Sequence, residues 1–300
     1  MKRSGFVAIV GRPNTGKSTL TNALVGTKVA ITSSKPQTTR HTIRGIVNTE
    51  ESQIILVDTP GIHRPRTLLG ERLNELVRAA YADVEVIAMC LPADEECGTG
   101  DQFICHELSA SYKTKRIALL TKIDTIPKAE LPGKLIEVSE LAKKSGFEWD
   151  EIVPVSALTG EQLAVVINVL SGALPEGGML YLDGEVTDEP QDIMVAELIR
   201  EAALEGVRDE LPHSIAVMVE EIVPRTSGKK ITDVRAFIYV ERPSQKSIVI
   251  GTGGARLKDV GTRARKAIEA YLGTPIFLDL HVKVAKEWQS DPKALNRLGW

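Results

Sequence analysis

Five short apolar runs punctuate the first 175 residues: GFVAIV (5–10), QIILVD (53–58), VEVIAMCL (84–91), RIALLT (116–121) and DEIVPVS (150–156). Several place apolar, often β-branched residues at consecutive positions, the pattern of strands buried on both faces. Around residues 17–25, 70–80, 100–112, 130–145 and 160–171, Leu, Ala, Val and Ile recur at helical spacing. This alternation predicts an α/β domain, a mainly parallel sheet with helices on both faces. RHTIRGIVNTE (40–50) lies close enough to QIILVD to pair with it antiparallel.

The rhythm then breaks. PEGGMLYLDGEVTDEP (175–190) holds two Pro, three Gly and five acidic residues, a linker composition. The chain therefore divides into a domain over 1–175, a linker over 176–190 and a second domain over 191–300. In the second, DIMVAELIREAALEG predicts a helix from near Asp192 with Gly206 near its end. SIAVMVEEIV (214–223) and ITDVRAFIYVE (231–241) predict strands joined by a turn at PRTSGKK. The apolar run IVI (248–250) has the pattern of another strand. After a glycine loop, a helix from about Ala255 to Leu272 and a strand PIFLDLHVKV (275–284) complete a smaller α+β domain. The tail DPKALNRLGW reads as a short helix or an ordered end.

A hydrophobic content of 43% and a charged content of 26% fit an ordinary globular chain. No run approaches the roughly 20 apolar residues that span a bilayer. MKRSGFVAIVG lacks the long apolar region and cleavage site of a signal peptide. Cys90, Cys97 and Cys105 form no CxxC pair, which predicts reduced thiols in a cytosolic protein. The net charge of −3 hides an asymmetry: Arg225 to Lys286 carries thirteen Lys and Arg against five Asp and Glu. Such a block points to a phosphate-rich partner.

GRPNTGKS (11–18) follows a strand and opens a helix, the context of a phosphate loop. Its members are Gly11, Arg12, Pro13, Asn14, Thr15, Gly16, Lys17 and Ser18, with Thr19 next. The glycines turn backbone N–H groups toward phosphates, Lys17 supplies a point charge, and the Ser18 hydroxyl suits Mg2+. Asp58, Thr59, Pro60 and Gly61 end an apolar strand; there an Asp can hold Mg2+ and the Gly61 N–H can sense a γ-phosphate. Thr121-Lys122-Ile123-Asp124 ends another strand, where GTP-binding proteins carry Asn-Lys-x-Asp. Asp124 can accept guanine N–H hydrogens that adenine does not offer. Thr121 reaches less far than Asn, which predicts a weaker link to the phosphate loop. Ser156, Ala157 and Leu158 fit a further guanine loop, with the Ala157 N–H at guanine O6.

This motif order is that of translation-factor-class GTPases, and KPQTTRHTIRGI (35–46) resembles the Era family of bacterial GTPases. The resemblance implies hydrolysis of GTP to GDP, with Lys17, Thr39 and Gly61 catalytic and Ser18, Thr39 and Asp58 around Mg2+. It implies that γ-phosphate contacts order residues 32–40 and 59–70. Ile62 stands where Ras-like proteins place a water-orienting Gln, so slow hydrolysis is expected. Asn14 resembles the residue with which some related GTPases hold K+ beside the phosphates.

IVIGTGGARLK (248–258) is the second glycine-rich stretch. It fits neither a dinucleotide fingerprint nor another phosphate loop, and it matches the Ile-Gly-x-x-Gly loop of KH domains. Ile250, Gly251, Thr252, Gly253 and Gly254, with Arg256, Lys258, Arg263, Arg265 and Lys266, are the expected RNA-binding residues. In KH domains this loop joins two helices, so 248–250 would be a short helix. The Era resemblance implies a type II KH domain after the GTPase domain. It further implies binding to the 3′ end of 16S rRNA in the 30S ribosomal subunit, a monomeric state and a cytoplasmic location. Peripheral contact with the inner face of the cell membrane is a family trait, though no amphipathic basic segment here argues for it. The competing readings are a P-loop ATPase or kinase, a GTPase acting on another structured RNA, and an RNA chaperone with little turnover.

Overall fold

The computed structural model describes residues 2–300 except 34, 36, 37, 63, 64, 66, 111, 112, 208–210 and 226–229. The expected turn at 224–230, the end of the helix expected over 100–112 and parts of the segments 32–40 and 59–70 fall outside the described residues. The chain forms two units. The first comprises Met1–Thr32, Thr39–Arg64 and Leu73–Asp188; the second comprises Ser33–Thr38, Pro65–Arg72 and Glu189–Trp300.

In the first unit β1 (Arg3–Val10), α1 (Lys17–Val25), β2 (Ile43–Asn48) and β3 (Ser52–Asp58) lead to α2 (Leu68–Ala82), whose residues up to Arg72 belong to the second unit, and to β4 (Val86–Pro92). Then come α3 (Thr99–Ser109), β5 (Lys115–Thr121), α4 (Leu131–Lys144), β6 (Glu151–Pro154) and α5 (Leu163–Ala173). The sheet runs β2-β3-β1-β4-β5-β6. Every pair is parallel except β2 with β3, the antiparallel pair expected from 40–50. The two-residue period of β1 divides the core. Ala8 and Val10 pack with Met89, Ile104 and Val138 on one face. Val7 and Ile9 pack with Leu20, Leu24 and Val166 on the other. The chain reverses its direction of travel across the sheet at β1, so the loop after β1 opens at the switch point where α/β sheets bind ligands.

The acidic stretch 176–188 is tied along the β2–β3 hairpin. The Gln53 side chain accepts the Leu180 and Tyr181 N–H groups (2.7 and 2.9 Å). The Ile46 N–H donates to the Val186 carbonyl, and Arg44 pairs with Asp188 at 2.8 Å.

In the second unit α6 (Gln191–Leu204) and α7 (Leu211–Ser214) precede β7 (Ala216–Pro224) and β8 (Thr232–Val240). These are followed by α8 (Pro243–Ile250), α9 (Ala255–Leu272), β9 (Ile276–Val284) and α10 (Pro292–Arg297). The sheet order is β7-β8-β9, antiparallel then parallel. The apolar run 248–250 is helical, as the KH resemblance implied and the strand pattern did not, and it ends α8. Pro243 at its start and Gln245, whose side chain accepts the Glu241 and Arg242 N–H groups, set the helix going. Val195, Leu198 and Ile199 of α6 and Val260, Ala264 and Ile268 of α9 are buried with the inward residues of β8. Within this unit Thr38, Leu69 and Arg72 bond to the C-terminal chain. Arg200 donates to the Thr38 carbonyl. The Leu69 N–H donates to Gln289 (3.0 Å), and Arg72 donates to Asn296 and the Trp300 carbonyl.

Candidate nucleotide and nucleic-acid sites

The loop between β1 and α1 turns on three residues of positive φ, Gly11 (147°), Asn14 (64°) and Gly16 (91°). A Cβ on Gly11 would come within 2.7 Å of the Cys90 carbonyl, and one on Gly61 within 2.7 Å of the Pro13 nitrogen. Lys17 is buried and donates to the carbonyls of Gly11 (3.0 Å) and Arg12 (2.6 Å). Burial lowers its pKa, while Asp58 pulls the other way.

Around Lys17 the structure brings together Ser18, Thr39 and Asp58. The Ser18 and Thr39 hydroxyls lie 2.9 Å apart. Asp58, at the end of β3, is 0% exposed, and neither carboxylate oxygen makes a hydrogen bond of normal geometry among the described residues. Burial pushes its pKa up to about 6, with Ser18 and Lys17 pulling it back. A buried carboxylate left unpaired costs several kcal/mol, roughly, unless a cation meets it. Two hydroxyls and a carboxylate are the hard oxygen donors that suit Mg2+. Thr59 donates to the Ile9 carbonyl at 2.9 Å and locks the turn to β1. The Ile62 side chain packs into the core with Val77 and Met89.

The Thr121 hydroxyl reaches the Thr15 carbonyl at 2.6 Å and the Leu91 carbonyl at 3.3 Å. The link to the phosphate loop, expected to suffer from the shorter side chain, is thus made directly, because β5 ends against the loop. Asp124 is exposed, and one of its oxygens accepts from Ser156 at 2.5 Å. The Ser156 hydroxyl also accepts the Thr159 N–H, which joins the two expected base loops. Leu158 is 82% exposed beside them. Sequence reasoning missed Asp94, which faces the Lys122 ammonium with both oxygens at 3.3 Å. It also missed Glu95 and Asp101, which hold Arg12 at 2.9 and 2.8 Å. Nothing in their spacing sets these acids apart from surface carboxylates.

In the second unit Gly251 (φ 73°), Gly253 (57°) and Gly254 (79°) all need positive φ. A groove of about 760 Å³ runs from Gly254 between α9 and β9. Lys258, Arg265 and Lys266 line it, as expected. Leu257, Gly261 and Thr262 from α9 and Ile276 to Leu280 from β9 were not foreseen. For Gly261 and Thr262 the signal was their spacing of three and four residues from Lys258. Two expected RNA contacts are engaged elsewhere. The Arg256 guanidinium donates to the carbonyls of Ala203 and Glu205 at the end of α6. Arg263 pairs with Glu205 and with Asp259. These arginines hold α9 to α6, which a list of basic residues does not reveal.

A phosphate loop at the switch point of a parallel sheet, with a base loop wired into it, defines a P-loop nucleotide-binding protein. The αββααβ unit with its glycine loop adds a KH module. Comparison with known proteins agrees: a 50S ribosome-binding GTPase family model matches residues 6–122, and a KH domain model matches residues 210–289. GTPase Era of Mycolicibacterium paratuberculosis is 64% identical over 299 residues, covering 99% of both chains. That of Streptomyces coelicolor is 61% identical over 99% of this chain and 95% of its own. Among solved structures, Era in complex with MgGDPNP and nucleotides 1506–1542 of 16S ribosomal RNA superposes with a TM-score of 0.94. It is 38% identical and covers 100% of this chain and 99% of that one. An Aquifex aeolicus Era variant bound to GDP·AlF4− has the same TM-score at 37% identity, over 99% of each chain. The chain belongs to the Era family of GTPases.

Proposed function

We propose that this protein is a GTP-hydrolysing switch that binds 16S rRNA near its 3′ end through the KH groove and assists 30S subunit assembly. The observation that carries the nucleotide half is the convergence of Ser18, Thr39 and the unpaired Asp58 carboxylate beside Lys17. In this reading the N–H groups of residues 14–18 cradle the phosphates and Lys17 neutralises their charge. Ser18, Thr39 and Asp58 hold Mg2+, whose charge polarises the phosphoryl oxygens when it is bound. Asp124, held by Ser156, selects guanine, and Ala157 and Leu158 close over the base. Ile62 lies in the core, so the attacking water is positioned by the Gly61 backbone and Thr39, with slow unassisted turnover. Asn14 is the candidate K+ ligand, and equal hydrolysis rates in potassium and sodium would remove it from this scheme.

The RNA half is supported by the groove beside Gly254 with its three exposed basic residues, and by the RNA-bound Era structure of the same fold. Among the described residues no helix is long and apolar enough to cross a membrane. The resemblance to the Era family supports reading it as a cytoplasmic monomer, with any hold on the inner membrane face peripheral. Crosslinking to total bacterial RNA, with a non-hydrolysable GTP analogue and with GDP, tests the whole reading. Adducts concentrated at the 16S 3′ end and favoured by the analogue are expected. Scattered adducts would return the KH unit to an unassigned role. Displacement of bound GDP by ATP as readily as by GTP would reinstate the ATPase reading.

A further inference from the structure

The turn between β4 and α3 carries no recognised motif, yet both nucleotide loops are tied to it. Its first residue extends the sheet, for the Ala93 N–H donates to the Thr121 carbonyl at 2.9 Å. The next, Asp94, takes the Lys122 ammonium of the base loop. Glu95 takes the Arg12 guanidinium of the phosphate loop at 2.9 Å, and Asp101, at 0% exposure, takes it at 2.8 Å. The stem of Arg12 lies so close to α3 that a Cβ on Gly100 would come within 2.6 Å of it. The turn is itself fixed from α4: Lys134 donates to the Glu95 carbonyl (2.8 Å), and the Cys97 N–H donates to Glu137 (2.5 Å). The second oxygen of Asp101 accepts the Gly98 N–H at 2.8 Å, so the carboxylate that grips Arg12 also starts α3.

Arg12 matters because its own carbonyl receives Lys17 and the Thr15 hydroxyl. Its side chain fixes one end of the phosphate loop, as Thr121 fixes the other through Thr15. The loop contains Asn14 at a φ of 64°, a conformation that persists only where the surroundings over-determine it. We propose that residues 93–101 form a positioning clamp. In it, Asp101 and Glu95 hold the phosphate loop in its binding shape through Arg12, and Asp94 holds the base loop through Lys122. Arg12 then serves as the handle of the loop and not as a phosphate ligand. This rests on the GTP-site reading. Loss of the clamp frees a loop that nucleotide must reorder, and binding weakens through that entropy.

The test is the release rate of a fluorescent GDP, mantGDP, from the full chain. Failure of the wild type to bind mantGDP would overturn the site reading itself, independently of the clamp. With binding established, Arg12→Ala and Asp101→Ala are each expected to speed release about tenfold, the scale of a charged hydrogen bond. The double variant should be no faster than Arg12→Ala alone, because that variant already removes the contacts of Arg12 with both Asp101 and Glu95. Arg12→Lys should recover part of the loss. Asp101→Ala also strips the start of α3 and lowers the melting temperature, whereas Arg12→Ala leaves it in place. If Asp101→Ala fails to fold, Glu95→Gln with Arg12→Ala provides the same cycle. Single effects that multiply in the double variant would show Arg12 acting on nucleotide directly and would overturn the clamp. Release unchanged within about twofold in Arg12→Ala would overturn it equally.

Discussion

At the start of α1, a Cβ on Gly11 would strike the Cys90 carbonyl at 2.7 Å, whereas at the start of α9 Gly253 and Gly254 have nothing within 4 Å. Both loops precede a helix and both need positive φ, but different surroundings impose it. In the first, neighbouring strands press on the backbone, Arg12 and Thr121 tie it down, and the single lysine is buried. In the second, only Gly251 is confined, by Arg256 at 2.7 Å from its would-be Cβ, and the groove lysines lie in solvent. A loop shaped by its own protein is ready for one small rigid ligand of fixed charge. A loop shaped only by its dihedral angles leaves room for a polymer backbone to lie along it.

The sharpest way to break this comparison is to remove the buried charge. Lys17→Ala should cut GTP turnover roughly 10²–10³-fold, as loss of a preorganised charge does, while RNA binding without nucleotide stays at the wild-type level. A matching fall in RNA binding would show that the sites are not separable. Gly253→Asp puts a negative charge and a Cβ where φ is 57°. RNA affinity should fall at least about tenfold, with about 1 kcal/mol of stability lost to the left-handed backbone. GTP hydrolysis measured without RNA should not change.

The enclosed site also titrates. Its Asp58 carboxylate has a pKa pushed up to about 6, so Mg2+-dependent GTP binding should weaken about tenfold per pH unit below that. The sign in the empty chain is the reverse. Because folding raises this pKa, stability is fully present below about pH 4 and declines as pH rises toward about 6. Magnesium titrations and nucleotide-free melting curves across that range check both signs. The smallest effects separate Arg256 from Lys258 on α9. Arg256→Ala should cost about 1 kcal/mol of stability and little RNA affinity, because its donors go to α6. Lys258→Ala should weaken RNA binding a few-fold and reduce the salt slope by about 1, with melting unchanged.

Much of this was legible in the residues. Runs such as QIILVD have no other stable place than a buried sheet, and a glycine loop between strand and helix announces phosphate. The antiparallel β2 followed from the short span between two apolar runs. Legibility stopped where partners are chosen in three dimensions. The run 248–250 is too short for periodicity to tell strand from helix end, and only its place before the glycine loop decided it. Arg256 and Lys258 look alike in sequence, yet one is spent on α6 and the other faces the groove. The carboxylates that hold Arg12 lie some 80 to 90 positions away along the chain, where no spacing rule connects them.

The groove meets β9 at five consecutive residues, Ile276 to Leu280. A strand seen face-on shows every second side chain; a run without gaps means that the groove meets it edge-on. Since β9 closes one side of the β7-β8-β9 sheet, that edge carries main-chain N–H and C=O groups not used by a neighbouring strand. Such groups are the same whatever residue occupies the position. A base read by this edge is therefore read by chemistry that substitution does not erase. For an RNA held in this groove, substituting a β9 side chain would leave the main-chain groups in place, whereas substituting an α9 lysine would remove a charge.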